Sequence, residues 1–249
     1  MRSGLKFRPP GYRRVRQASY NARYWLSAWR TFMGEGRESP AFQESLRALR
    51  ENGVLYEPKL PRYWQLHQLA EAFIVPGTAA AEFGVYRGAT ARIIAGVAAR
   101  RVPGVELYLF DTFQGMPEAT SYEYDGEEYR PGDLADVDEA EVRSLLEMNG
   151  VRPIFWVGPF SETLPKAREV PPLSLTHVDA DLHDSVLEAC EWAYPRTRTG
   201  GTIIFDDYAD TDCPGATRAV REFFRSRPET PIVLPSGQAM VVKQPEEAR

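Results

Sequence analysis

Residues 78–90 read Thr78-Ala-Ala-Ala-Glu82-Phe-Gly84-Val-Tyr86-Arg87-Gly88-Ala-Thr90. The short apolar run Thr78–Phe83, closing on Glu82-Phe83-Gly84, predicts a buried strand. Two glycines follow the acid, and they allow the chain to turn tightly from strand to helix beside a ligand. Thr90–Arg101 is predicted helical, with Ile93, Ile94, Val97 and Ala98 on one face. The first turn of that helix leaves backbone N–H groups free. A dinucleotide fingerprint needs a third glycine in register. Here only two are present, and Tyr86 and Arg87 are bulky where a pyrophosphate would sit. The turn therefore suits a ligand without phosphate.

Outward from this stretch the same alternation repeats. Further strands are predicted at Val105–Phe110, Ile154–Val157, Leu173–Val178 and Thr202–Phe205. Helices are predicted at Pro40–Glu51 (with Gly53 after its end), Tyr63–Phe73, Ser185–Tyr194 and Pro214–Arg227. Another spans Glu139–Asn149, capped by Asp138 and ended by Gly150. Gly158–Pro165 turns into a short helix, and Pro195 with Gly200-Gly201 closes the helix before the fifth strand. Ile232–Leu234 and Ala239–Lys243 form a hairpin about Pro235-Ser236-Gly237. Five strands alternating with helices predict a doubly wound, mainly parallel α/β sheet, and the hairpin makes it seven-stranded. This Rossmann-like layout is that of the class I methyltransferase fold. Ligands of such sheets bind outside the carboxyl ends of the strands, where four of the five parallel strands end at or beside an acid.

The 249-residue chain carries 43% hydrophobic and 26% charged residues with net charge −5, an ordinary globular balance. No apolar stretch approaches the roughly 18 residues of a membrane span, and the start lacks the apolar core of a secretory leader. Cys190 and Cys213 match no zinc spacing, and a count of three His argues against a His-rich metal site. These features predict a cytoplasmic protein. Residues 1–34 hold eight cations and no acid, so the rest of the chain is strongly acidic. Such an arm can meet nucleic acid or anionic lipid, but Tyr20, Tyr24, Trp25, Trp29 and Phe32 read as packing residues of an aromatic helix near 19–33. With the acidic body, they favour contact with this or a neighbouring subunit and argue against nucleic acid or membrane as partner. Residues 1–61 are accordingly expected to be a helical cap or oligomer contact, and 62–249 the main domain. Loop 118–138, with eight acids and three tyrosines, is expected to be a lid.

Three elements carry chemistry. The two-glycine turn fits S-adenosylmethionine. Asp111 ends the second strand, where an acid can accept hydrogen bonds from both hydroxyls of a ribose. Asp179, Asp181 and His183 after the fourth strand, with Asp206 and Asp207 after the fifth, place carboxylates side by side. Like charges that close need protons or a cation, and an all-oxygen set suits Mg²⁺.

The runs EFGVYRGATA, FDTFQGMPEA, GPFSETLP, HVDADLHDS, YPRTRTGGTIIFDDY and CPGATRAVREFF occur in order over about residues 62–243. Together they resemble the macrocin O-methyltransferase family, which methylates hydroxyls, often on sugars, of bacterial natural products. The resemblance implies S-adenosylmethionine and Mg²⁺ as cofactors. It implies that Glu82, Gly84 and Gly88 line the methionine end, that Asp111 holds the ribose and that Ser161 lies near the adenine. Tyr86, Arg87, Thr90, Thr112, Gly158 and Asp179 complete the cofactor set. Asp179, Asp206 and Asp207 match the metal ligands, and Asp181 the second acid of the family's Asp-x-Asp pair. The family commonly has Tyr where this chain has His183, and a second Gly where it has Ala89. The general base is thus Asp181, His183 or water beside the metal.

The sequence predicts a metal-dependent O-methyltransferase acting on a small-molecule hydroxyl, a sugar or natural-product intermediate, and forming a dimer or larger homo-oligomer. Asp179, Asp181 and His183 are its expected catalytic set. Two alternatives are a catalytically silent S-adenosylmethionine-binding partner subunit and a nucleotide-sugar or NAD enzyme on a Rossmann sheet.

Overall fold

Residues that alternate between two faces of a pleat form the centre of the molecule. The computed structural model describes residues 29–30, 32–117 and 130–245. Its strands are β1 (Ala79–Phe83), β2 (Val105–Asp111), β3 (Val151–Val157), β4 (Leu173–Val178), β5 (Thr197–Phe205), β6 (Ile232–Val233) and β7 (Ala239–Val242). They form one seven-stranded sheet in the order β3-β2-β1-β4-β5-β7-β6. β1 to β5 are parallel, and β7 runs antiparallel to β5 and β6. The strand order reverses between β1 and β4, which opens a crevice at their carboxyl ends.

The helices are α1 (Pro40–Glu51), α2 (Leu60–Phe73), α3 (Ala89–Arg101), α4 (Glu139–Leu146), α5 (Phe160–Thr163), α6 (His183–Arg196) and α7 (Pro214–Phe224), with a 3₁₀ turn, Glu57–Lys59, leading into α2. Ala81, Phe83, Phe110, Ile203 and Phe205 point to one face of the sheet and pack with Val186, Ala189 and Cys190 of α6 and Ala219 and Val220 of α7. Ala80, Leu107, Leu109, Leu175 and Ile204 point to the other, against Leu66 and Ala70 of α2 and Ala91, Ile94 and Ala95 of α3. With both faces covered, β1 and β4 are buried throughout, as central parallel strands are. Phe42, Leu46 and Leu49 of α1 join Tyr63, Trp64 and Ile93, so residues 40–60 are packed onto α2 and α3.

The fold class follows the sequence reading, and α1 and β4 keep their predicted bounds. Ser39 Oγ caps α1 by accepting from Phe42 N at 3.3 Å. The differences lie where glycine or proline was read as a stop. α4 ends at Leu146, not Asn149. Gly150 serves instead where the chain passes α3, because a Cβ there would meet the Ala99 carbonyl oxygen at 2.9 Å. α6 runs from His183 through Pro195 to Arg196, because proline in the last turn sacrifices only one helical hydrogen bond. β5 follows at Thr197, and Gly200-Gly201 lies inside it at a shift in register with β4. β3 starts earlier than predicted, at Val151, and α7 ends earlier, at Phe224. Of the aromatic helix expected near 19–33, residues 19–28 and 31 lie outside the described residues, whereas 32–38 are helical.

Gly84 is the tightest point of the sheet's carboxyl edge. Its φ is +81°, and a Cβ would fall 1.8 Å from the Asp179 carbonyl oxygen. Gly84→Ala should therefore destabilise the fold by at least ~2 kcal/mol through both strain and overlap. Gly104→Ala, also at positive φ but facing open space, should cost about 1 kcal/mol. Urea unfolding of the two variants measures the difference.

Candidate active site

Strand register assembles the site. Glu82 lies level with His177, and His177 level with Ile204. All three point to the face covered by α2 and α3, and so does Asp206, two residues beyond Ile204. Gln238, immediately before β7, faces the same way. The side chains meet in a buried polar line across β1, β4, β5 and β7. His177 Nδ1 lies 2.8 Å from Glu82 Oε1 and its Nε2 lies 3.4 Å from Asp206 Oδ1. Gln238 Nε2 donates to that same Asp206 oxygen at 2.7 Å. Burial opposes charge on the His177 ring, but the hydrogen bonds to Asp206 and Glu82 outweigh it and raise its pKa to about 10. Burial raises the Glu82 carboxyl, and Glu82 Oε2 is buried without a hydrogen-bond partner among the described residues.

The other Asp206 oxygen faces the opposite way, into a cluster of charge. Asp179, Asp206 and Asp207 each bring a carboxylate oxygen within 4.8 Å of the others. Two cations from the start of α2 lie against them. Lys59 Nζ is 3.5 Å from Asp179 Oδ2 and 3.2 Å from Asp206 Oδ2. Arg62 bonds Asp206 Oδ2 at 2.7 Å, Asp207 Oδ1 at 3.3 Å and Asp210 Oδ2 at 2.8 Å. Burial would raise the Asp206 carboxyl, but Lys59, His177 and Arg62 overcome it and hold the group far below the usual carboxylate range. Asp207 goes the other way. Burial, then the charges of Asp179, Asp181 and Asp206, push it well above its ordinary value, and its Oδ2 is buried with no hydrogen-bond partner among the described residues. A three-carboxylate set with one buried, unpartnered oxygen fits a hard divalent cation such as Mg²⁺. The donors include no soft or imidazole ligand that would favour zinc.

Asp181 stands beside this cluster in a left-handed conformation, φ +52°. Cys213 Sγ donates to its Oδ1 at 3.4 Å, and atoms of Asp181, Asp207 and Cys213 lie within 4.8 Å of one another. Burial and then the Asp179 charge raise the Asp181 carboxyl to about 7. His183 opens α6, and both its ring nitrogens are engaged: Nδ1 at 2.9 Å from Asp184 Oδ1 and Nε2 at 3.0 Å from Glu222 Oε2 of α7. Burial works against a charged His183 ring, but these two carboxylates raise its pKa. Its contact with Glu222 joins α6 to α7.

The glycine turn is held by Asp111. Asp111 Oδ2 accepts from Val85 N at 2.6 Å and Tyr86 N at 2.8 Å, and Oδ1 accepts from Phe113 N at 2.7 Å. A carboxylate has roughly four acceptor positions, so an oxygen lone pair is still available to a ribose. Gly88 begins α3 with φ +79°, and Thr90 is buried in its first turn. Thr112 Oγ1 donates to Gly115 O at 2.7 Å. Gly158, with φ +134°, donates its N–H to Asp111 O at 2.9 Å, and Ser161 lies exposed on α5. Tyr86 Oη donates to Asp136 Oδ1 at 2.7 Å and Arg87 Nη2 to Asp136 Oδ2 at 2.5 Å. These bonds tie the turn to the returning end of the expected lid, whose residues 118–129 lie outside the described residues. A separate hollow at the amino end of β5 is lined by Thr199, Glu229 and Lys243. Its acid is occupied by Tyr194 Oη and Gln244 N, and it contains none of the expected site residues.

Sequence reasoning missed Lys59, Arg62, His177 and Gln238. The signal for His177 was present, because Glu82 and His177 both stand next to last in adjacent strands. Lys59 and Arg62 gave none, since only tertiary packing brings the start of α2 to this edge.

A seven-stranded sheet of this order, with a glycine turn and acids at the carboxyl edge, defines a class I methyltransferase. A model of the macrocin-O-methyltransferase (TylF) family matches residues 60–232. Demethyldecarbamoylnovobiocin O-methyltransferase of Streptomyces niveus is 30% identical over 203 residues, 76% of this chain and 71% of that protein. A Streptomyces olivaceus enzyme, 8-demethyl-8-(2,3-dimethoxy-alpha-L-rhamnosyl)-tetracenomycin-C 4'-O-methyltransferase, is 34% identical over 160 residues, 59% of each protein. Among solved structures, the O-methyltransferase NovP superposes with a TM-score of 0.59 at 26% identity, covering 74% of this chain and 80% of its own. The chain belongs to the macrocin O-methyltransferase family and is an S-adenosylmethionine-dependent O-methyltransferase. No described helix is long and apolar enough to cross a membrane.

Asp111→Ala removes three backbone hydrogen bonds and the acceptor expected to meet the ribose. Calorimetry should show S-adenosylhomocysteine binding weakened by ~1–3 kcal/mol. Unchanged affinity would remove Asp111 from the ribose role.

Proposed function

We propose that this enzyme methylates a hydroxyl of a sugar-bearing natural-product intermediate, with a divalent cation, Mg²⁺, held by Asp179, Asp206 and Asp207. The observation that carries the reading is the buried, unpartnered Asp207 Oδ2 inside a three-carboxylate cluster. The S. olivaceus relative, whose name specifies a rhamnosyl-bearing substrate, supports a sugar-bearing acceptor.

S-Adenosylmethionine would lie over the β1 turn. Its methionine end would lie by Glu82, Gly84, Tyr86, Arg87, Gly88 and Thr90, its ribose by Asp111 and Thr112, and its adenine by Gly158 and Ser161. When bound, the cation supplies Lewis acidity that lowers the pKa of an acceptor hydroxyl. Asp181 accepts the hydroxyl proton on its carboxylate, and a carboxyl titrating near 7 is suited to that task. The hydroxyl oxygen then attacks the sulfonium methyl in line. The carbon–sulfur bond breaks with its electron pair remaining on sulfur, which yields S-adenosylhomocysteine and the methyl ether. His183, engaged by Asp184 and Glu222, holds α6 to α7 behind this centre. Loop 118–138 and residues 1–61 cover the acceptor, and the N-terminal segment joins subunits in a dimer or larger assembly.

Methyl transfer to a glycosylated acceptor should stop in EDTA and recover with Mg²⁺. Asp207→Asn should remain inactive in both while still binding S-adenosylhomocysteine. Full activity of the wild type in EDTA would overturn the metal reading. Asp181→Asn should lower kcat by about 100-fold or more with little change in Mg²⁺ or S-adenosylhomocysteine affinity. A variant with near-normal kcat would exclude Asp181 as the base.

A further inference from the structure

The cations Lys59 and Arg62 lie on carboxylate oxygens of all three acids that would hold a metal. Asp206 presents two different sides. Its Oδ1 is fixed from within the sheet by His177 and Gln238, so Oδ2 is the oxygen turned to the cluster. Oδ2 is also the oxygen that receives both Lys59, at 3.2 Å, and Arg62, at 2.7 Å. Lys59 takes Asp179 Oδ2 as well, and Arg62 takes Asp207 Oδ1. Every acid of the cluster therefore has an oxygen facing a side chain from the 3₁₀ turn or the start of α2.

The two cations are not equivalent. The Arg62 side chain is only 16% exposed and also holds Asp210, so it anchors α2 to the loop after β5. The Lys59 side chain is 34% exposed, and its described ion pairs are with Asp179 and Asp206 alone. An ammonium on a flexible four-carbon stem can withdraw to water more readily than a guanidinium fixed in several ion pairs. A divalent ion and an ammonium cannot occupy the same side of Asp179 and Asp206 without strong repulsion.

We propose that Lys59 is a resident counter-cation of the acid cluster and sets the enzyme's metal affinity by competing for Asp179 Oδ2 and Asp206 Oδ2. Metal loading displaces Lys59 and frees the Glu57–Lys59 turn from the sheet edge, while Arg62 keeps α2 in place through Asp210. The inference rests on the metal reading above. It adds to that reading a residue outside the ligand set that tunes the site, and a response of the N-terminal side to loading.

The test is Mg²⁺ titration by calorimetry of the full chain with Lys59→Gln, Lys59→Arg and wild type. Lys59→Gln should bind Mg²⁺ about tenfold more tightly, equivalent to about 1.4 kcal/mol, and Lys59→Arg should bind no more tightly than wild type. Amide hydrogen exchange at residues 57–60 should rise when Mg²⁺ is added to wild type, and should already be high in metal-free Lys59→Gln. Equal or weaker Mg²⁺ binding by Lys59→Gln, with a wild-type melting temperature, overturns the competition while leaving the metal reading intact. Absence of Mg²⁺ binding by all three proteins overturns both. Exchange at residues 57–60 that is insensitive to Mg²⁺ overturns the displacement of the turn.

Discussion

Negative charge crowded on one edge of a sheet is the constraint around which this molecule is arranged. A carboxylate at the end of one parallel strand is easily hydrated; several on neighbouring strands, half or wholly buried, are not. The fold responds on two sides of Asp206. From within the sheet, His177 and Gln238 hold one oxygen, while from outside Lys59 and Arg62 approach the other. Removing this compensation would leave an uncompensated buried charge between β4 and β7, with protonation of the acid as its main escape. Asp207 is compensated on one oxygen alone, by Arg62, and its other, unpartnered oxygen is the strongest mark of chemistry in the structure.

The cofactor side is built by a different economy of contacts. Asp111 does not wait idle for a ligand: it orders the turn after β1 and the turn after β2 at once. The shape of the crevice at both turns thereby depends on one side chain. The same turn is linked through Tyr86 and Arg87 to Asp136, so the segment returning from the acidic loop is attached to the cofactor turn as well as to the sheet.

Much of this was legible in the sequence because it depends on local pattern. Apolar runs ending in Glu82, Asp111, Asp179 and Asp206 marked the strands and their ligand edge together. Asp138 and the Gly84–Gly88 turn followed from capping and turn chemistry. Punctuation was misread where Pro195 and Gly200-Gly201 serve an abrupt passage from helix to strand. A glycine pair looks the same in sequence whether it ends a helix or bends a strand. Lys59 and Arg62 were beyond reach for another reason: their partners lie more than a hundred residues away, and only the packing of α2 on the sheet selects them.

The shift in β5 has a consequence for how such proteins can diverge. Leu173 is level with Thr197, but Leu175 is level with Thr202, so β5 accommodates surplus residues around Gly200-Gly201 before it settles into step with β4. Because successive side chains point to opposite faces, the size of that surplus decides whether Asp206 or Asp207 faces His177. Loss or gain of one codon there would exchange the two aspartates without altering either. Lineages of this enzyme must therefore keep the length of β5 to the residue wherever Asp206 and Asp207 retain their separate faces.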